Sequence, residues 1–281
     1  MLRKVYLEIT NVCNLHCSFC PGTTRPPRFL TVDEFHTLAA RLVGHTEYLY
    51  LHVMGEPLCH PHLAEILDIA AALGFRICLT TNGVLLPALS DMLLSRAASL
   101  YKISISLHSH EANGGEDPET YLHDCVAFQK AAGEAGIIAV LRLWNLDGEN
   151  PAQNTQNTRI LHLLHAAFPA PWTEVRGGPR MAKGCYLEWG ERFTWPIERA
   201  GKADTGRFCM ALRDQAAVLC DGTVVPCCLD SEGKIALGNL FDTPFAEILS
   251  APRARAIYDG FSHRSAVEPL CRTCGYATRF S

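Results

Sequence analysis

Short apolar segments at regular intervals, each followed by an amphipathic stretch, constrain the fold of this chain most. Lys4 to Ile9, Tyr48 to Val53, Arg76 to Thr80, Lys102 to Leu107 and Ile137 to Trp144 are brief and apolar or β-branched, as strands are, and a sixth, less regular segment lies near Cys185 to Leu187. The stretches between them, Val32 to Leu42, Leu63 to Leu73, Pro87 to Ala97, Pro118 to Ala135 and Thr158 to Ala167, have helical periodicity. Thr31 followed by Glu34 forms a capping box, in which each side chain satisfies a backbone amide that a helix start leaves unpaired. Strand–helix alternation predicts a parallel α/β sheet, which right-handed crossovers curl into an open or closed barrel.

The periodicity lapses at Phe168-Pro169-Ala170-Pro171 and again at Arg176-Gly177-Gly178-Pro179-Arg180. The barrel-like part is therefore expected to end near residue 200, giving one domain over 1–200 and a smaller one over 201–281. In the smaller part, Gln215 to Cys220 and Thr223 to Cys227 flank Asp221-Gly222, a pair that accepts the positive backbone angles of a type I′ turn, so a β-hairpin is expected there. Pro244 to Leu249 and Pro252 to Tyr258 read as short helices.

Charge narrows the partners. With 25 Lys and Arg against 29 Asp and Glu, the formal net charge is −4, which offers no general attraction for nucleic acid or an anionic membrane. Glu8 interrupts the first apolar stretch before a secretory segment forms, and no apolar run reaches the roughly 18 residues a membrane span needs. The expectation is a cytoplasmic protein. Disulfides are rare in that compartment, so the 13 cysteines point to metal binding or redox chemistry instead.

Their spacing divides them. Cys13, Cys17 and Cys20 form a CxxxCxxC directly after the first predicted strand. A cubane iron–sulfur cluster takes four ligands, so a trio with no fourth nearby suggests one iron left open for another molecule; a structural zinc site completed by His16 or a distant residue is the alternative. Further along stand Cys209, Gly222 and Cys227, then Cys271 and Cys274 as a CxxC, with Cys220 and Cys228 close by. A zinc ribbon would use this second set equally well. Cys59, Cys78, Cys125 and Cys185 stand alone among apolar neighbours and read as core residues.

The order of motifs resembles the radical S-adenosylmethionine superfamily. After the CxxxCxxC come Gly55-Glu56-Pro57 at the end of the second predicted strand, Thr80-Thr81-Asn82-Gly83 at the end of the third, and Ser106 on the fourth. The resemblance covers residues 4 to 145 well and 146 to 200 poorly. It implies a partial (β/α)6 barrel whose Cys13, Cys17 and Cys20 hold a [4Fe-4S] cluster that binds S-adenosylmethionine. It also implies that Gly55, Glu56 and Pro57 receive the cofactor's amino group, that Phe19 lies beside adenine and that Ser106 helps hold the cofactor. Arg142 is placed near the cofactor carboxylate as a possible bidentate partner, although strand alternation also allows it to point outward.

The carboxy-terminal part resembles the SPASM and twitch group, whose extension begins with a cysteine, a glycine and a cysteine over a hairpin. A full SPASM domain has more cysteines beyond its CxxC than this chain shows. The resemblance therefore implies a small hairpin and helix domain with one auxiliary [4Fe-4S] cluster, held by Cys209, Cys227, Cys271 and Cys274, with Cys220 or Cys228 as substitutes. The function implied is an oxidoreductase that cleaves S-adenosylmethionine to a 5′-deoxyadenosyl radical and abstracts hydrogen from a peptide side chain or small metabolite. An electron donor such as flavodoxin or ferredoxin is its implied partner. A glycyl-radical-enzyme activase and a noncatalytic iron–sulfur or zinc protein are the competing readings. Outside these motifs, His60 and His62 have metal-ligand spacing, and His108 and His110 follow the fourth strand where barrel active sites collect.

Overall fold

The computed structural model describes residues 1–113, 118–146, 155–169, 171–196 and 204–280. In chain order the elements are β1 (Lys4–Leu7), α1 (Val32–Ala40), β2 (Tyr48–Tyr50), α2 (Leu63–Ala72), β3 (Arg76–Thr81), α3 (Leu86–Leu94), β4 (Leu100–Ser106), α4 (His108–Glu111), α5 (Pro118–Glu134), β5 (Ile138–Leu146) and α6 (Thr155–Ala167). There follow β6 (Thr173–Val175), β7 (Gly178–Ala182), β8 (Cys185–Glu191), β9 (Gln215–Val218), β10 (Thr223–Val225), β11 (Gly238–Asn239), α7 (Phe245–Ser250), α8 (Pro252–Ser262) and α9 (Pro269–Thr273). The α/β class read from the alternation is the one observed. Among the described residues the strands do not close into a ring, as a partial barrel requires. The Thr31 capping box is present, with Thr31 Oγ1 accepting from Glu34 N at 3.2 Å and Glu34 Oε2 accepting from Thr31 N at 2.9 Å. The expected domain boundary near residue 200 lies outside the described residues. No described helix is long and apolar enough to cross a membrane.

The chain forms two compact units. The first comprises Met1–Cys13, Pro21–Ile77 and Phe193–Ser281. Here β1 lies between two parallel neighbours, pairing Val5 with Leu49 of β2 and Lys4 to Leu7 with Gln215 to Val218 of β9. β10 and β11 extend the sheet antiparallel. The hairpin forms where expected, but its turn is not type I′. Gly222 N donates to Leu219 O at 2.8 Å and only Gly222 has a positive φ, +84°, so a longer turn closes on a left-handed glycine. Asp221 contributes differently, accepting from Thr223 N at 2.9 Å.

The second unit comprises Asn14–Cys20 and Cys78–Arg192. β4, β5 and β8 run parallel; the sixth strand is longer than expected, continuing along β5 to Glu191, and a hairpin of β6 and β7 pairs with the start of its other edge. α5 covers one face. Gln129 Nε2 donates to Ala139 O at 3.0 Å and Tyr186 O at 2.8 Å, while Cys185 Sγ lies 3.4 Å from Gln129 O. Ala139 is in register with Cys185 and Leu141 with Leu187, so these residues face the helix. Side chains alternate across a strand, which places Ser106, Arg142 and Glu188, in register with one another, on the opposite face.

Helix and sheet approach closely at Gly133, where an added Cβ would stand 2.6 Å from Lys183 O and 2.8 Å from Cys185 Sγ. Gly133→Ala should therefore lower stability by about 1–3 kcal/mol through overpacking. A drop in the thermal unfolding midpoint is the expected measurement.

Candidate functional site

The cysteine loop is closed at its base by short polar side chains. Thr10 Oγ1 donates to Arg28 O at 2.9 Å, Asn11 Nδ2 donates to Pro26 O at 2.9 Å, and Arg28 N donates to Asn11 Oδ1 at 2.7 Å. These bonds stitch the chain entering the loop to the chain leaving it, just ahead of Cys13. The Gly55-Glu56-Pro57 turn packs on the same limb. Gly55 has a φ of +76°, and a Cβ there would stand 2.6 Å from Thr10 O and 2.8 Å from Val12 O. Only glycine fits, on both counts. Glu56 N donates to Val12 O at 2.8 Å, and the buried Glu56 carboxylate accepts from Leu58 N at 3.0 Å, capping the short helical turn that Pro57 begins.

The loop tip, Asn14 to Cys20, rests on other residues. Asn82 Nδ2 donates to Asn14 Oδ1 at 2.8 Å, His16 N to Asn113 Oδ1 at 2.8 Å and Ser18 N to Ala112 O at 3.1 Å. Cys17 Sγ lies 3.6 Å from Ser109 O, and Cys20 N donates to Cys17 O at 3.0 Å. Phe19 packs against His108, with ring centroids 4.9 Å apart. α4 and the residues after it thus cradle the tip, and the polar end of β3 joins it through Asn82. Tyr121 Oη donates to Asn82 O at 2.7 Å and fixes that end from α5.

Ser106 and Arg142 share the face away from α5. The Arg142 guanidinium stacks 3.6 Å from the centroid of Trp144, whose Nε1 donates to Glu188 Oε1 at 3.1 Å, and Glu188 also approaches Lys102 at 3.7 Å. Alternation therefore puts Arg142 beside Ser106, and the stack holds its planar fork in place. His108 is anchored alongside, its Nδ1 3.1 Å from Arg142 O. Burial, aided by the Arg142 and Arg192 charges, lowers its pKa to about 4, so the ring is neutral at physiological pH.

The second cysteine set gathers around one pocket in the first unit. Cys209, Cys227, Cys271 and Cys274 all line it, among Pro196, Pro226, Leu229, Ile235, Phe261, Leu270 and Tyr276. No three described His, Cys, Asp or Glu converge tightly enough to share one metal ion. A [4Fe-4S] cluster instead takes one thiolate on each of four irons, so its ligands ring a volume, and four thiols around an apolar pocket fit that group. The thiols also oppose one another's ionisation. Burial pushes Cys209 up to about 11, and burial with the charges of Cys228, Cys209 and Cys271 raises Cys227 well above its ordinary value. Iron would supply the positive charge that makes thiolates favourable there.

The two proposed substitutes do not line that pocket, although Cys228 lies close enough to Cys227 and Cys209 to act on their charge. Cys228 hydrogen-bonds with Tyr6 and packs in an apolar cluster with Val53, Met54 and Val225, whereas Cys220 Sγ lies 3.6 Å from Arg25 Nη1. His60 and His62 do not form a pair of metal ligands: His60 Nε2 bonds to Leu30 O at 2.9 Å, its Nδ1 accepts from His62 N at 3.1 Å, and the His62 ring meets Glu65. Cys78, Cys125 and Cys185 are buried, and burial raises Cys125 to about 12. Two residues that the sequence reading did not place at a site stand out. Glu8 is fully buried with Arg25 as its partner, and Asp230 lines the thiol pocket while accepting from Lys234 N and Ile235 N. An acidic residue between Leu7 and Ile9 in an apolar strand was a visible signal for the first; nothing in the sequence singled out the second.

Comparison with known proteins gives the family. Residues 7–153 match the family model of the radical SAM superfamily, and residues 209–275 match SPASM, an iron–sulfur cluster-binding domain. Among curated proteins, GTP 3',8-cyclase of Chlorobaculum tepidum is 36% identical over 107 residues, covering 37% of this chain and 32% of its own. AdoMet-dependent heme synthase of Methanosarcina barkeri is 32% identical over 170 residues, covering 59% of this chain and 46% of its own. The matches thus take in between a third and a half of the length of these relatives. Among solved structures, BtrN in complex with AdoMet and 2-DOIA has a TM-score of 0.60 at 15% identity, covering 98% of this chain and 93% of its own. Streptococcus suis SuiB bound to precursor peptide SuiA has a TM-score of 0.59 at 14% identity, covering 98% and 70%. At these identities the structural likeness is one of fold.

Gly55→Ala should strip the front site of iron while the second pocket still loads, because the new Cβ displaces the limb ahead of Cys13; iron and sulfide assays with electron paramagnetic resonance report it. The raised thiols give a second expectation. Their neutral form is favoured in the folded, metal-free chain, so that stability is complete below the ordinary thiol value of about 8.5 and is lost as pH rises through it toward the folded values. The thermal midpoint of metal-free protein should fall over that range, and that of iron-loaded protein should not.

Proposed function

Because the chain belongs to the radical SAM superfamily and carries an iron–sulfur cluster-binding domain of the SPASM group, we propose that it is an oxidoreductase removing a hydrogen atom from a peptide side chain or a small metabolite. It is a radical SAM enzyme, and its cofactors are S-adenosylmethionine and [4Fe-4S] clusters, one auxiliary. When bound, a reduced cluster would donate one electron to the sulfonium of S-adenosylmethionine, whose carbon–sulfur bond would break to release methionine and a 5′-deoxyadenosyl radical. Everything else falls to the protein.

Cys13, Cys17 and Cys20 would hold three irons of the front cluster and leave the fourth for the cofactor. The turn at Gly55, Glu56 and Pro57 receives its amino group; Glu56, by capping that turn, keeps it rigid. Arg142, immobilised on Trp144 and in register with Ser106, offers a planar fork for a carboxylate, and Phe19 on His108 offers an aromatic face for adenine. Cys209, Cys227, Cys271 and Cys274 would hold the auxiliary cluster, and the largely apolar lining of their pocket would tune its potential. The observation that carries this reading is the gathering of these four thiols around one pocket in a chain whose front matches the superfamily. Two neighbours bear on the substrate: SuiB was solved with a precursor peptide, and BtrN matches nearly end to end.

Anaerobic reconstitution tests the reading. The protein should take up iron and sulfide for two clusters and release 5′-deoxyadenosine when given S-adenosylmethionine and a reductant. Replacing Cys13, Cys17 and Cys20 together by Ala should remove one cluster and all cleavage. Deuterium appearing in 5′-deoxyadenosine from labelled peptides or metabolites would identify the substrate class; absence of cleavage by the loaded wild type would sink the proposal.

A further inference from the structure

The Glu8 carboxylate belongs to none of the ligand positions above, yet three segments that carry them converge on it. Val5, Leu7 and Ile9 around it are fully buried, and so is Glu8 itself. Its Oε1 accepts from Arg25 Nη2 at 2.7 Å and from Met54 N at 3.0 Å, and its Oε2 accepts from Cys220 N at 3.0 Å. Arg25 lies on the limb leaving the front cysteine loop, Met54 directly precedes Gly55, and Cys220 sits in the hairpin turn ahead of Cys227. Arg25 reaches further into the second set, donating from Nε to Ser231 O at 2.8 Å, while Thr24 beside it bonds to Glu232.

An ionised carboxylate held away from water is costly, and an apolar side chain at this position would pack at less expense. What the charge adds is geometry. Two oxygens accepting from a guanidinium and two main-chain amides fix three loops relative to one point, which dispersion contacts alone would leave free to slide. Resting on the two-cluster reading above, we infer that Glu8 is a positioning residue shared by both cluster sites, holding the front loop, the cofactor-binding turn and the auxiliary hairpin in one arrangement. The described partners of Glu8 are all protein donors. Its loss should therefore disturb both sites together and leave the ligand cysteines able to load.

The test uses full-length, anaerobically reconstituted Glu8→Gln and Arg25→Met, read by iron and sulfide content, by S-adenosylmethionine binding in equilibrium dialysis, and by paramagnetic resonance of the reduced clusters. Both variants should hold two clusters, bind S-adenosylmethionine about 10- to 100-fold more weakly, as loss of an outer support does, and show an altered auxiliary signal. Arg25→Lys should recover part of the affinity. Phe128→Leu, a buried substitution in α5, serves as the stability control and should leave both readouts as in wild type. If Glu8→Gln does not fold, Arg25→Met, at a side chain with 13% exposure, puts the same question. Unchanged affinity and spectra, a change at one site alone, or the same changes in Phe128→Leu would each overturn the inference. Failure of the two-cluster reading is recognised separately, in wild-type protein that lacks a second cluster or shows no spectral response to S-adenosylmethionine.

Discussion

A buried carboxylate is costly unless donors surround it, and Glu8, directly after β1, has a guanidinium and two amides. Those donors come from positions 25, 54 and 220, so a single buried charge ties together stretches of chain that are far apart in sequence. Much of the first unit follows from this. β1 can hold β2 on one side and β9 on the other because both neighbours are parallel to it and both are anchored near its carboxyl end, one through Met54 and the other through Cys220. The front loop leaves β1 and returns at Arg25 under the same constraint.

Glycine placement adds a second layer of fixation. Gly55 lets the turn at the end of β2 touch the main chain of Thr10 and Val12, and Glu56 then closes the contact by donating its amide to Val12 O. The loop tip is supported differently, by side-chain amides and by the packing of Phe19 against a neutral His108. Rigid surroundings suit a loop whose cysteines must present three sulfurs at fixed positions, since a ligand set held by flexible chain would lose entropy each time it bound.

Legibility in the sequence tracks how local each determinant is. The Thr31 capping box, the strand–helix alternation and the hairpin around Gly222 depend on residues within a few positions of one another, and all three appear where the sequence placed them. The turn type was misread because Asp221-Gly222 satisfies two turn families, and only the Leu219–Gly222 bond distinguishes them. The pair β6 and β7 was missed because the turn residues around Gly177 and Gly178 signal a break without saying whether the flanking chain pairs. The direction of Arg142 was undecided for a similar reason: alternation fixes which residues share a face, and the face itself is known only once α5 is seen to cover the other.

By itself the sequence determined the α/β class, the front cysteine spacing, the strand-end motifs and the existence of a second cysteine set, because each is written in periodicity or in short spacing. Only the tertiary structure decided which four cysteines of that set line one pocket, since Cys220 and Cys228 are as close in sequence and differ in what they meet, Arg25 for the one and Tyr6 for the other. It also decided that the carboxy-terminal hairpin lies beside β1. Parallel pairing between strands some two hundred residues apart leaves no local mark; it depends on complementary apolar faces and on one buried charge whose partners the chain brings together only when folded.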